Sequence, residues 1–106
     1  GVDYVVIGSV VVPQTPANIV AVAQSCDSIK VSWNKVEDAT GYNVYRAMSS
    51  DGTYAKISTI TSGNLLNYVD SGLSANTTYY YKVCALDANG NVICESDNTV
   101  CITTAQ

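Results

Sequence analysis

The chain has no histidine and no phenylalanine among its 106 residues, and it has only two prolines. Without histidine it lacks the commonest general base and the commonest transition-metal ligand, which excludes histidine-dependent nucleophilic hydrolysis. Charged residues are scarce at 13%, and five basic against nine acidic side chains leave a formal net charge of -4. This balance disfavours nucleic acid and anionic membranes as partners.

A membrane-spanning run is also missing. Residues 1–12 are apolar, with Val5-Val6-Ile7 and Val10-Val11-Val12 dominating, but this stretch is shorter than the ~20 residues of a span and no basic region precedes it. We therefore expect no membrane insertion, and we expect an extra β-strand or the tail of a preceding module. If that strand adds to the edge of a second copy, the chain assembles with itself.

Two prolines mark the predicted domain boundary. Pro13 and Pro16 forbid helix and form a short connector, so we assign residues 1–15 to an N-terminal strand and linker and residues 16–106 to one domain. A chain of this length holds one core.

Short alternating segments separated by turn signals fill the predicted domain, and none has a helical period. Trp33 ends one of them and is the expected central core aromatic. Asp51-Gly52 and Asn89-Gly90 are strong turn signals. The predicted strands cover residues 19–23, 28–34, 41–46, 54–59, 67–70 and 78–87, with a last strand that ends near Thr104.

One tyrosine position points to a particular architecture. Tyr79 opens an alternating strand six residues after Leu73. A tyrosine placed in this way ties the corner of a β-sandwich to its next strand, because its hydroxyl bonds to upstream backbone.

Together these features resemble the fibronectin type III family across about residues 16–105. The residues that carry the resemblance are Pro16, Ile19, Ile29-Lys30-Val31-Ser32-Trp33, Gly41-Tyr42-Asn43-Val44-Tyr45-Arg46, Leu73, Tyr79 and Val83-Cys84-Ala85-Leu86-Asp87. The resemblance implies an all-β, immunoglobulin-like sandwich of about seven antiparallel strands, with the N-terminal strand added. Residues 39–46 and 51–54 look like the version embedded in bacterial secreted polysaccharide-degrading enzymes.

The same resemblance implies a function without catalysis. We expect a spacer or protein-interaction module of a secreted or cell-surface bacterial multi-modular protein, whose partners are the neighbouring modules of its own polypeptide. We expect no cofactor, no metal and no catalytic residue. Polysaccharide or another protein is a further candidate partner.

Two oxygen-rich segments are candidate sites of chemistry. Glu37-Asp38 is a pair of carboxylates, but nothing near it in the sequence would raise one pKa, so we interpret it as a solvated loop. The segment 87–91 resembles the opening of a calcium loop, yet the sixth position is Val92 and the twelfth is Asn98. A calcium loop needs glycine and glutamate there, so we predict a hairpin turn instead.

The four cysteines lack Cys-x-x-Cys spacing, which favours disulfides over zinc. If the last two strands align as in the family, Val83 faces Ile102 and Ala85 faces Val100. That alignment sets Cys84 opposite Cys101 at a distance compatible with a bridge. A tighter turn at Asn89-Gly90 would favour Cys84 with Cys94 instead, and four reduced thiols remain an alternative.

Two tyrosines form the candidate binding surface. Tyr45 and Tyr80 are both expected to point outward from the same sheet, where paired rings offer a platform for a sugar ring or a partner protein. Carbohydrate binding through this pair is therefore an alternative function. Exposed tyrosines also commonly pair across strands for stability alone, and we favour that interpretation.

Overall fold

The structure is a computed structural model that describes residues 4–7, 10–13, 16, 18–93 and 99–106. Every helix or strand among these residues is a β-strand. The strands are β1 (Tyr4–Ile7), β2 (Val10–Pro13), β3 (Val20–Ala23), β4 (Ile29–Ser32), β5 (Gly41–Ala47), β6 (Ala55–Ile60), β7 (Asn67–Asp70), β8 (Thr78–Leu86), β9 (Val92–Ile93) and β10 (Thr99–Thr103). No described helix is long and apolar enough to cross a membrane.

Two antiparallel sheets form the predicted sandwich. One has the strand order β3-β4-β7. The other has the order β10-β8-β5-β6, and β9 also pairs with β8. The all-β, immunoglobulin-like sandwich is thus confirmed.

The core forms where alternating strands turn one face inward. Ile29 and Val31 of β4 are fully buried, and so are Tyr42 and Val44 of β5. Trp33, as predicted, is a core aromatic at 4% exposure, and its ring meets that of Tyr42 edge-on with 5.4 Å between centroids. This packing buries the large side chains that dominate the core energetics of a small domain.

The corner predicted from Leu73 and Tyr79 is present. The Ser74 N–H donates to the Tyr79 hydroxyl at 2.9 Å, and Tyr79 is 6% exposed. The Leu73 N–H donates to the Asp27 carbonyl oxygen at 2.9 Å, while its side chain packs against the core. The corner therefore links the connection before β8 both to that strand and to the loop before β4.

The N-terminal segment differs from the single extra strand that we predicted. It is a hairpin in which β1 and β2 pair with each other, from Tyr4 opposite Pro13 to Ile7 opposite Val10. The apolar run was too uniform to show where one strand ends. The only turn signal in the sequence between β1 and β2 is Gly8, a residue that tight turns favour.

The register of the last strand also differs from the prediction. Val100 lies opposite Tyr81 and Ile102 opposite Tyr79, so the predicted pairing of Ile102 with Val83 is wrong. The prediction assumed one continuous strand. In the structure β9 places Ile93 opposite Ala85 and β10 places Thr99 opposite Lys82, so the registers of these two segments on β8 differ by three residues.

Candidate functional site

The outward face of the four-stranded sheet carries the candidate site. On this face Tyr45 of β5 is flanked by a lysine on each side, with Lys56 of β6 and Lys82 of β8 as its cross-strand neighbours. The ion pair found among the described residues joins Arg46 to Asp70. Lys56 and Lys82 therefore have no described carboxylate within ion-pair distance. The face therefore presents an aromatic ring between two ammonium groups.

Hydrogen bonds hold the Tyr45 ring in place. The Thr59 hydroxyl donates to Asn43 Oδ1 at 2.8 Å, and Asn43 Nδ2 donates to the Tyr45 hydroxyl at 3.2 Å. Asn43 is only 4% exposed although it shares the outward face with Tyr45. Asn43 and Tyr45 are two residues apart on one face of β5, so the hydrogen bond between their side chains runs along the strand. This bond fixes the orientation of the Tyr45 ring.

An open cleft of about 230 Å³ lies beside this ring. Its described lining is Tyr45, Tyr54, Lys82 and Cys84. Tyr54 immediately precedes β6, and its hydroxyl donates to the Ser50 carbonyl oxygen at 3.4 Å. The cleft thus brings two aromatic rings, one ammonium group and the disulfide-bonded Cys84 to one open surface.

The second tyrosine of the predicted surface lies elsewhere on the same face. Tyr80 is opposite Ala47, whereas Tyr45 is opposite Lys82, so the two tyrosines occupy a diagonal rather than facing positions. Tyr80 is not among the described residues that line the cleft. The shared face was predictable from the period of two. Tyr54 opens the predicted strand over residues 54–59 but was not assigned to this face, and in the structure it lies immediately before β6.

The cysteine pairing that we favoured does not form. Cys101 is a free, exposed thiol opposite Tyr80, because the last strand pairs four residues away from the predicted register. Cys84 is disulfide-bonded and fully buried, and Cys26 is free and exposed. The alternative partner, Cys94, lies outside the described residues. β8 pairs with β9 across the turn that contains Asn89-Gly90. A tight turn there was the condition under which we expected Cys84 to pair with Cys94.

The other oxygen-rich segments have structural explanations. Glu37 and Asp38 are exposed in the connection between β4 and β5, as predicted. Asp87 Oδ1 accepts the N–H groups of Asn91 and Asn89, both at 2.9 Å, which gives the predicted hairpin turn. These bonds, that of Asn91 first, hold the pKa of Asp87 below its ordinary value. No cluster suited to a metal ion occurs within the described ranges.

A partly buried polar network ties the two sheets together. Arg46 Nη1 of β5 donates to both carboxylate oxygens of Asp70 on β7, at 3.0 and 2.8 Å. The Tyr81 hydroxyl of β8 donates to Asp70 Oδ2 at 2.6 Å, and the Arg46 guanidinium lies 5.7 Å from the centroid of the Tyr79 ring. The sequence analysis did not identify this network, because β5, β7 and β8 are distant in sequence.

Burial and bonding perturb the acid–base behaviour of the network. Burial, together with the bond to Asp70, raises the pKa of Tyr81 far above that of free tyrosine. The bond to Asp70 likewise raises the pKa of Arg46. Both groups therefore keep their protons, which suits a structural link and offers no group poised for proton transfer near neutral pH.

The family follows from comparison with known proteins. The fibronectin type III domain model matches residues 14–102. The chain belongs to the fibronectin type III family. This fibronectin type III domain is also similar to the Fn3-like protein from Clostridium thermocellum, whose crystal structure shares 38% identity at a TM-score of 0.68. That match covers 76% of this chain and 82% of the other.

Two curated relatives are much longer proteins. The domain is 41% identical over 83 residues to an alpha-amylase from Niallia circulans, covering 76% of this chain and 6% of the relative. It is 36% identical over 101 residues to chitinase A1 of the same species, covering 92% of this chain and 13% of the relative. The chain thus spans a small fraction of the curated relatives that it matches.

Proposed function

We propose that this fibronectin type III domain is a non-catalytic spacer or protein-interaction module of a secreted or cell-surface bacterial multi-modular protein. The observation that carries the proposal is the small share of its relatives that it covers, 6% of the alpha-amylase and 13% of chitinase A1. In such proteins the matched segment is one module among many. The chemistry in the relatives' names belongs to the whole proteins.

The distribution of polar groups supports a function without catalysis. Asp70 is engaged by Arg46 and Tyr81, and Asp87 is engaged by backbone N–H groups of its own turn. A general acid or base needs a carboxyl group that faces substrate with a suitably shifted pKa. Both carboxylates instead hold the fold together.

The same interactions support a mechanical function. The Tyr79 corner fixes the connection before β8, and the Arg46–Asp70–Tyr81 network joins the sheets across the core. A sandwich held in this way resists shear between its sheets and keeps adjoining modules at a set separation. The disulfide at Cys84 supports an oxidising, extracytoplasmic location.

Deletion and replacement within the whole polypeptide test the proposal. One variant lacks this domain, and a second carries in its place another fibronectin type III domain with a different surface. Both are compared with the intact protein on a polymeric substrate and on a small soluble substrate of the same activity. For a spacer, we expect deletion to lower activity on the polymer alone and replacement to restore it.

Two results would contradict the proposal. If activity on the small substrate disappears with the domain in a protein that still folds, the domain contributes to catalysis. If the replaced protein is as impaired as the deleted one, separation alone does not explain the function. A Glu37→Gln variant is a useful control, since an exposed loop carboxylate should leave both activities unchanged.

A further inference from the structure

We infer that the cleft beside Tyr45 binds one sugar ring of a neutral polysaccharide. The described lining of the site is the rings of Tyr45 and Tyr54, the ammonium group of Lys82 and the disulfide-bonded Cys84. This binding function goes beyond spacing and would stand if the spacer function were disproved. It also differs from the surface predicted from the sequence, because Tyr54 replaces Tyr80 as the second ring.

Aromatic rings provide the stacking surface. A pyranose has an apolar face of C–H groups and an equator of hydroxyls, so it is complementary to a tyrosine, which is apolar over its ring and polar at its tip. The Tyr45 ring is oriented in advance by Asn43 and Thr59. A ring that is already fixed loses little conformational entropy when a ligand stacks on it.

Hydrogen-bond donors around the rings match sugar hydroxyls. The Tyr45 hydroxyl accepts a proton from Asn43 Nδ2, which leaves its own proton to donate. Lys82 contributes an ammonium group with three donors, and it forms no ion pair with a described residue. Both residues line the cleft, and each keeps a donor that no described residue occupies.

The size of the cleft limits what it binds. Its volume of about 230 Å³ is below the ~300 Å³ at which sites for drug-sized ligands begin. One ring fits, and because the cleft is open, the rest of a polymer can continue into solvent. The net charge of -4 disfavours a polyanion, which points to a neutral polymer.

Native gel electrophoresis of the full chain tests the inference. The gels contain soluble starch, hydroxyethyl cellulose or polygalacturonate, and the retardation of the chain gives the affinity. We expect retardation by at least one of the two neutral polymers, with little dependence on salt. Circular dichroism melting verifies that each variant is folded.

Matched variants separate this cleft from the remainder of the face. Tyr54→Ala removes a cleft ring, and Tyr80→Ala removes a half-buried tyrosine from the same face outside the described lining. Lys82→Gln replaces the ammonium group of the cleft with an uncharged amide, and Lys56→Gln does the same to the lysine on the other side of Tyr45. We expect Tyr54→Ala to weaken binding about tenfold and Lys82→Gln roughly fivefold, with both controls within about twofold.

Three outcomes would overturn the inference. The first is no retardation in either neutral polymer. The second is a Tyr80→Ala variant that weakens binding as much as Tyr54→Ala, which would assign binding to the diagonal pair of Tyr45 and Tyr80. The third is retardation by polygalacturonate alone that disappears with added salt, which would make the lysines a simple anion site.

Discussion

The hydroxyl of Tyr81 offers a direct test of the network between the sheets. It donates to Asp70 Oδ2 at 2.6 Å from a fully buried side chain, so Tyr81→Phe removes one charge-assisted hydrogen bond and little volume. Hydrogen bonds to charged groups contribute about 1.5–3 kcal/mol. Because Asp70 keeps both bonds from Arg46, the carboxylate is not left unpaired, and we expect a loss of about 2 kcal/mol.

A loss of that size is readily measured. In a domain of this length, 1 kcal/mol corresponds to roughly 4–8 °C in melting temperature, so we expect Tyr81→Phe to melt about 10 °C below the wild type. Urea denaturation at neutral pH gives the free energy of unfolding independently. The expected loss of about 2 kcal/mol is a sizeable part of the free energy of unfolding, which is about 5–15 kcal/mol for a chain of about a hundred residues.

The matched control is Tyr54→Phe. The Tyr54 hydroxyl makes a long bond of 3.4 Å to an exposed carbonyl oxygen, so its removal should cost less than about 0.5 kcal/mol. If Tyr81→Phe destabilises the domain no more than Tyr54→Phe does, the network contributes nothing measurable and the reasoning is refuted. A double-mutant cycle of Tyr81→Phe with Asp70→Asn then isolates the pairwise term.

Three further predictions concern pH, thiols and close packing. Because the pKa of Tyr81 is raised, the unfolded chain loses the hydroxyl proton above about pH 10 while the native chain keeps it. In urea titrations above that pH, the free energy of unfolding should therefore fall about 1.4 kcal/mol per pH unit more steeply in the wild type than in Tyr81→Phe. Equal slopes would contradict this prediction. Cys101 should be alkylated without reductant and Cys84 only after reduction, and non-reducing peptide mapping should find Cys84 linked to Cys94; a Cys84–Cys101 peptide would show the register to be wrong. Gly41→Ala should cost about 2 kcal/mol or more in urea denaturation, because its Cβ would overlap a carbonyl oxygen of β6, and a neutral effect would mean that β5 and β6 lie farther apart.

Local patterns in the sequence predicted much of the fold. The strand Asn67–Asp70 has the predicted bounds, and Trp33 lies in the core as predicted. The Leu73–Tyr79 spacing predicted the corner, because that signal is complete within seven residues. Each of these predictions depends on residues that are close in sequence.

Features that depend on pairing between distant segments were not predictable in this way. β10 does not continue the register that β9 has on β8, and so the predicted pairing of Cys84 with Cys101 was wrong. The contact of Asp70 with Arg46 and Tyr81 depends on how the two sheets stack. At the candidate site the period of two identified Tyr45, but only the structure brings Tyr54 and Lys82 beside it.

The cleft on the outward face of the four-stranded sheet is the binding surface that we infer for this domain, and the remaining residues maintain the fold. The most direct test is an NMR titration of the isotope-labelled full chain, monitored through its backbone amide chemical shifts. The ligand is a short soluble oligomer of whichever neutral polysaccharide retards the chain in the gel. We expect the largest changes in chemical shift at Tyr45, Tyr54 and Lys82. Changes centred on the three-stranded sheet of β3, β4 and β7, or spread evenly over both sheets, would contradict this expectation.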